Sequence, residues 1–302
     1  MYAYFHLLIG ITLPIILICA CGIWLEQRRS VDTKLLADIS LYILAPALIL
    51  SALTGSRLRG ENVLSVLYFT VIMTALCWGL AAVAGKLARF SEGTTRALTL
   101  TTLFSNSNNY GLPVLLLAFG HPGFVLGTIY VVGQIILVNV LGMYIASREN
   151  MNGKQALKNI FQSPLIYAAL IGIVLSLLYL RLPLGINSAV QLLGHAYPVL
   201  VLLILGIQLR RTSFSGLRRL DVWLGVFLRL LIVPVLAKLV LVVLGIHGTL
   251  ASVLFVEASM PAAINTVTLV EKFDGDKQLV SLIVSITTVL SFIYLPALIY
   301  IG

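Results

Sequence analysis

An all-α membrane protein of ten transmembrane helices, arranged as two inverted repeats of five, is the fold class predicted by three features of the sequence. Hydrophobic residues make up 60% of the 302, charged residues only 10%, and the mean hydropathy is +1.05, whereas a soluble domain carries about 25% charged residues. The apolar runs are roughly 20 residues long, the length of a helical span, not the ~10-residue alternating strands of an outer-membrane barrel. Two runs, in matching places of the two halves, are interrupted by polar and helix-breaking residues: Phe104-Ser-Asn-Ser-Asn-Asn-Tyr-Gly-Leu-Pro113 and Glu257-Ala-Ser-Met-Pro-Ala-Ala-Ile-Asn265.

In order, the first span is expected at 5–25. The segment before it, Met1-Tyr-Ala-Tyr-Phe-His, has no positive n-region, and the apolar stretch is too long for an h-region, so a span is expected and not a cleaved leader. The second span, 35–54, carries Leu44-Ala-Pro46-Ala-Leu-Ile-Leu50, and the seventh, 187–209, carries Ala196-Tyr-Pro198-Val-Leu-Val-Leu202. The third covers 63–85. The fourth, 95–119, and the ninth, 249–272, hold the two breaks. The fifth, 123–146, leads into the longest connection, 147–163, which is only a linker (Arg148-Glu-Asn-Met-Asn-Gly-Lys154). The sixth spans 164–180, the eighth 221–245 with Arg229 and Lys238 inside it, and the tenth 278–300. Pro14, Pro46, Pro198 and Pro234 are expected as tolerated kinks. The chain thus reads as one transmembrane domain, 1–302, with repeats at 1–150 and 151–302.

Loop charges test this count. The odd-numbered connections hold fifteen Lys and Arg (Arg28, Arg29, Lys34; Lys86, Arg89, Arg96; Arg148, Lys154, Lys158; Arg210, Arg211, Arg218, Arg219; Lys272, Lys277) and the even ones three (Arg57, Arg59, Arg181). By the positive-inside rule the odd loops are cytoplasmic and both termini lie outside the plasma (inner) membrane. The net charge of +9 therefore serves topology and implies no nucleic-acid partner; the lipid bilayer is the surrounding partner. An odd number of spans per half inverts the second half, the pattern of inverted-repeat secondary transporters.

Backbone groups freed at Pro113 and Pro261 need partners that hydrocarbon does not supply, so the breaks belong beside protein or a watery cavity, and one in each half points to a binding site. Asn108, Asn109 and Asn265 are the substrate candidates: half-helix starts favour anions, and amides add neutral donors for a carboxylate. The competing reading is that they cap the broken helices. Gly111 joins the substrate-binding group because a missing Cβ allows a close crossing; Pro113 and Pro261 are the helix-breaking pair. Ser105, Asn106 and Glu257 supply oxygens and charge of the kind Na⁺ requires. Glu257 is the only acid near the middle of any predicted span, and an intramembrane acid faces a cavity or a partner. A proton carried on Glu257 is the alternative to sodium, which is favoured.

Other polar residues have plainer expectations. Arg229 and Lys238 are expected to snorkel to opposite interfaces. Gln134, Asn139 and His195 are expected to hydrogen-bond between helices. Cys19, Cys21 and Cys77 read as small buried hydrophobes, without disulfide or zinc spacing. No nucleophile elbow, phosphate loop or metal motif is present, so an enzyme is not expected. No cofactor is expected beyond the coupling ion, and with no ATP-binding domain, concentrative work would come from an ion gradient.

Tyr42-Ile-Leu-Ala-Pro-Ala-Leu-Ile-Leu-Ser-Ala-Leu53, Asn106-Ser-Asn-Asn-Tyr-Gly-Leu-Pro113, the stretch Pro198 to Leu209, and Ser259-Met-Pro-Ala-Ala-Ile-Asn265 followed by Phe273-Asp-Gly-Asp276 together resemble the auxin efflux carrier family of membrane transporters. The resemblance covers nearly the whole chain, without the long hydrophilic central loop of plant members. That family is similar in fold to the bile acid sodium symporters. Ser105-Asn106 and Glu257-Ala-Ser-Met match their sodium-site pattern, although Pro261 stands where they have Gln. The resemblance implies broken, crossing fourth and ninth helices. It also implies scaffold helices within 5–54 and 164–209 and a sliding crossover domain from 63–146 and 221–300. The activity implied is ion-coupled alternating-access transport of a small organic anion by a homodimer. A passive uniporter or channel, or a transporter-like membrane sensor, remains the alternative.

Overall fold

The structure, a computed structural model, describes residues 8–54, 60–146, 162–273 and 275–301. Arg57, Arg59, Arg148, Lys154, Lys158 and Asp274, used in the sequence analysis, lie outside them. Apart from short connections and two breaks, the described residues are helical, with no strand beyond one isolated β-bridge. In chain order the helices are α1 (Leu8–Arg28), α2 (Thr33–Thr54), α3 (Gly60–Leu87), α4 (Glu92–Leu103), α5 (Ser107–Ala146), α6 (Pro164–Leu177), α7 (Leu184–Arg211), α8 (Leu220–Val243), α9 (Gly248–Ala258), α10 (Asn265–Lys272) and α11 (Lys277–Ile301). Seven of them, α1, α2, α3, α5, α7, α8 and α11, are long and apolar enough to cross a membrane. The apolar helices α6 and α9 are shorter, at 14 and 11 residues.

Helix is found in each of the ten predicted segments, but the boundary between the fourth and fifth is unlike a loop. α5 runs 40 residues and is bent inside at Gly120, whose φ of 63° and ψ of −161° lie outside the helical region. Glycine reaches this conformation without the steric cost a Cβ imposes, and Pro122 follows it.

The prolines act through a shared device. Apart from Val138–Gly142, which no proline follows closely, four turns of wider, π-helical pitch occur among the described residues, at Leu8–Thr12, Ser40–Leu44, Ser107–Gly111 and Leu228–Ile232. Each is followed two residues later by proline: Pro14, Pro46, Pro113 and Pro234. A proline ring clashes with the carbonyl four residues earlier. Those carbonyls belong to Gly10, Tyr42, Asn109 and Leu230, the middle residue of each widened turn, so the widening makes room for the ring. The expected kinks are thus local expansions at three of the four positions; Pro198 sits within α7 without one.

α1 packs along α7, and α2 packs on both α6 and α7. Close backbone approach explains part of this: a Cβ on Gly206 would overlap the Cys19 carbonyl, and one on Gly22 the Leu203 carbonyl. Small residues permit such contact between spans. The largest core cluster joins α3, α4, α5, α8, α9 and α11 through residues such as Phe69, Leu98, Ile129, Leu254 and Ile283, and α5 also packs against α2, α6 and α7 through Leu112, Phe124 and Val131. Of the cysteines, Cys19 and Cys77 are buried, but Cys21 is exposed and not the buried side chain expected.

Candidate functional site

α4 ends at Leu103, and the chain runs extended through Phe104 and Ser105 before α5 begins at Ser107. α9 ends at Ala258, and the chain resumes as helix at Asn265. The two non-helical stretches lie antiparallel against each other. Ser105 pairs with Ala262 as a β-bridge; the Asn106 amide donates to the Pro261 carbonyl at 2.8 Å, and the Ala263 amide donates to the Phe104 carbonyl at 2.8 Å. Main chain from both halves thus supplies the partners that hydrocarbon does not. Side chains meet others: Thr287 Oγ1 accepts from the Ala262 amide at 3.2 Å, and the Tyr294 hydroxyl donates to the Ser259 carbonyl at 2.7 Å.

Pro261 lies in the second break, as expected. Pro113 does not break the first: it stands in the first turn of the helix that follows the widened turn, and the interruption is at 104–106. The unpaired proline nitrogen costs nothing in a first turn.

A cleft of about 440 Å³ runs along the first break, lined by Ser105, Asn106, Asn108 and Asn109, with Gln134 and Asn139 of α5 and Asn265 of α10 opposite. It reaches Gln162, Ser163 and Lys272 at helix ends. A smaller recess of about 110 Å³ between the break and α7 shares Asn106, Asn108, Asn109 and Asn265. Three of the substrate candidates, Asn108, Asn109 and Asn265, therefore face one space. Gly111 does not line it. A Cβ at Gly111 would overlap Glu257 Oε2, so this glycine makes room for the acid.

Several polar atoms here are buried without a hydrogen bond: Thr102 Oγ1, Ser105 Oγ, Asn106 Nδ2, Asn108 Oδ1, Gln134 Oε1, Ser259 Oγ and both carboxylate oxygens of Glu257. The Ser105 hydroxyl neighbours that of Tyr130, without a hydrogen bond of ordinary geometry. Glu257 is fully buried and is absent from the linings of both spaces. A Cβ on Gly127 would come within 3.1 Å of its Oε1 and would also meet Leu115. Ser105 and Asn106 thus face the cleft while Glu257 sits behind the break against Gly111 and Gly127.

Other expectations are corrected. Arg229 does not snorkel: it is 1% exposed, and its guanidinium donates to the carbonyls of Met260, Thr102 and Ala258, each at 2.8 Å. Lys238 is exposed, with its ammonium 5.3 Å from the centre of the Phe255 ring. Gln134 and Asn139 bond within their own helix, to the Tyr130 hydroxyl at 3.1 Å and the Ile135 carbonyl at 2.9 Å. His195 is exposed and not buried between helices.

Sequence reasoning missed Tyr197, whose hydroxyl donates to Asn109 Oδ1 at 3.1 Å across from α7; its place beside Pro198 in the mirrored motif was the available signal. Asn109 Oδ1 also accepts from Asn108 Nδ2 at 3.3 Å, which leaves the Asn109 amide donors for the cleft. Thr102 was missed too, although the threonine-rich run Thr94 to Thr102 marks a polar strip in α4.

A family model described as "Membrane transport protein" matches residues 8–299 of the chain. An uncharacterized transporter of Methanothermobacter thermautotrophicus is 31% identical over 270 residues, covering 88% of this chain and 87% of that one. An uncharacterized transporter of Methanocaldococcus jannaschii is 25% identical over 271 residues, with 86% of each chain covered.

Proposed function

This chain belongs to the membrane transport protein family, that of the auxin efflux carriers, and is a multi-pass membrane transporter; on that premise we propose that it is a secondary active carrier of a small carboxylate, coupled to a cation gradient. The observation that carries the reading is the hydrogen-bonded junction of the two broken segments beside a cleft lined by amides. Asn106 and Asn109 present N–H donors there, with Asn108 and Asn265 beside them. A carboxylate binds such donors together with the start of α10, where the helix dipole is positive.

Glu257 handles the coupling ion. A carboxylate buried without a hydrogen bond has to be neutralised, by a cation or by a proton. Sodium is our assignment, because the unpartnered oxygens of Thr102, Ser105 and Ser259 lie on the same two broken segments. One observation favours the proton as a second reading: the Glu257 oxygens abut Gly111 and Gly127, which offer no oxygen side chain for a cation.

In this reading the chain crosses the plasma membrane ten times with both termini outside. α1, α2, α6 and α7 are the scaffold, which also joins two copies, and the other helices slide against it. The Tyr197–Asn109 bond and the Thr212–Ser285 hydroxyl pair at 2.8 Å link the two groups of helices and would be exchanged during the slide.

The test is uptake of radiolabelled acetate, lactate and succinate into liposomes containing the purified protein, with Na⁺ and pH gradients imposed separately. Saturable uptake driven above equilibrium by inward Na⁺ is the expected result. Uptake driven by pH alone selects the proton. Uptake indifferent to both marks a uniporter, and no uptake of any probe favours a sensor.

A further inference from the structure

We propose that Arg229 is a tethered cation that gives the crossing its preference for anions, an inference that rests on the carboxylate-carrier reading. Four half-helix ends meet at the junction. α4 and α9 arrive with their C-termini, and the helices from Ser107 and Asn265 leave with their N-termini. A helix end carries roughly half a unit charge, negative at the C-terminus and positive at the N-terminus. Left to themselves the four ends would nearly cancel, and the space between them would favour neither sign.

Arg229 breaks that balance. Its guanidinium takes the carbonyl of Thr102 in the last turn of α4, the carbonyl of Ala258 at the end of α9, and that of Met260 in the break beyond. These are the groups that carry the negative ends. The fork of five N–H groups fits three separated carbonyls as an ammonium does not. Among the described residues Arg229 makes no ion pair, so its charge is not spent on a carboxylate. The widened turn at Leu228–Ile232 carries it. With the two negative ends neutralised, the positive starts act unopposed on the cleft. There Asn106 Nδ2 is buried, 3% exposed as a residue, and still without an acceptor.

The cage and the electrostatic role are separable in one set of measurements on purified R229A, R229Q, R229K and wild type. In thermal melts, methylguanidinium chloride raises the melting temperature of R229A relative to equal choline chloride, as any ligand of the folded state does, and leaves the wild type unmoved. In liposomes with radiolabelled acetate, lactate and succinate, R229Q raises KM roughly tenfold, about the effect of two helix-end interactions, with a smaller change in Vmax. R229K, which keeps the charge, stays closer to wild type than R229Q. Equal KM in R229K and R229Q, or a wild-type KM in R229Q, overturns the electrostatic role. An R229A melt indifferent to methylguanidinium overturns the cage. If R229A does not fold, the comparison of R229K with R229Q decides the proposal; if the wild type moves none of the probes, the carrier reading fails and the melts alone decide the cage.

Discussion

From Ser105 to Asn109 the first break offers two serines and three asparagines, while from Met260 to Ile264 the second offers Met, Pro, Ala, Ala and Ile. Both do the same backbone work, pairing with each other through Ser105 and Ala262. Their side chains divide the rest. The first break turns amides toward the cleft. The second buries Ala262 and Ala263 and is anchored from outside by Thr287, Tyr294 and Arg229. It is flanked by the acid Glu257, held out of the cleft, and by Asn265, which lines it. In the proposed reading, one break recognises and the other holds the charge.

The largest effect expected is on Glu257. Glu257→Gln should leave substrate binding measurable by thermal stabilisation but abolish the dependence of uptake on the imposed ion gradient; full retention of that dependence would remove Glu257 from the coupling site. Gly111→Ala comes next. The new methyl group would overlap the Glu257 carboxyl, and overpacking of this kind costs about 1–3 kcal/mol, seen as a lowered melting temperature together with lost ion coupling. An unchanged melt would mean that Glu257 has room to move.

On the recognising side, Asn109→Ala should raise KM several-fold without altering ion dependence, the converse of Glu257→Gln. Tyr197→Phe, which removes one hydrogen bond worth about 0.5–1.5 kcal/mol, should reproduce a milder form of it. Loss of ion dependence in either variant would dissolve the division between the breaks.

The smallest effect lies outside both. Asp276 is partly buried, which opposes its ionisation, but the hydrogen bond from Arg219 prevails and holds its carboxyl below the usual carboxylate range. A depressed value means stability present above the unfolded pKa and lost as pH falls through the folded one. Asp276→Asn should therefore lower the melting temperature at neutral pH and make no difference in strong acid. The pair is partly solvated, so the cost is under about 1 kcal/mol, and transport should persist.

The two breaks were legible in the sequence because asparagine clusters and prolines are conspicuous against leucine and valine. The helical segments were legible from apolar length. What the breaks do to one another was not, since the bonds from Asn106 to Pro261 and from Ala263 to Phe104 are between backbone atoms over 150 residues apart, and backbone groups leave no mark on composition. Arg229 was misread for the same reason: its partners are carbonyls of Thr102, Ala258 and Met260, so no acidic residue in the sequence announces them. Gly111 was noticed as a space-maker, but only the folded chain shows whose space it makes.

Because the seam between the repeats is stitched in main chain, alanine scanning will not find it. Side chains at 105, 106, 262 and 263 can be exchanged and the stitches remain; only an imino acid at 106 or 263 would cut one. Relatives would then be free to trade one cargo for another by altering what projects into the cleft, while the join that makes the site survives each exchange.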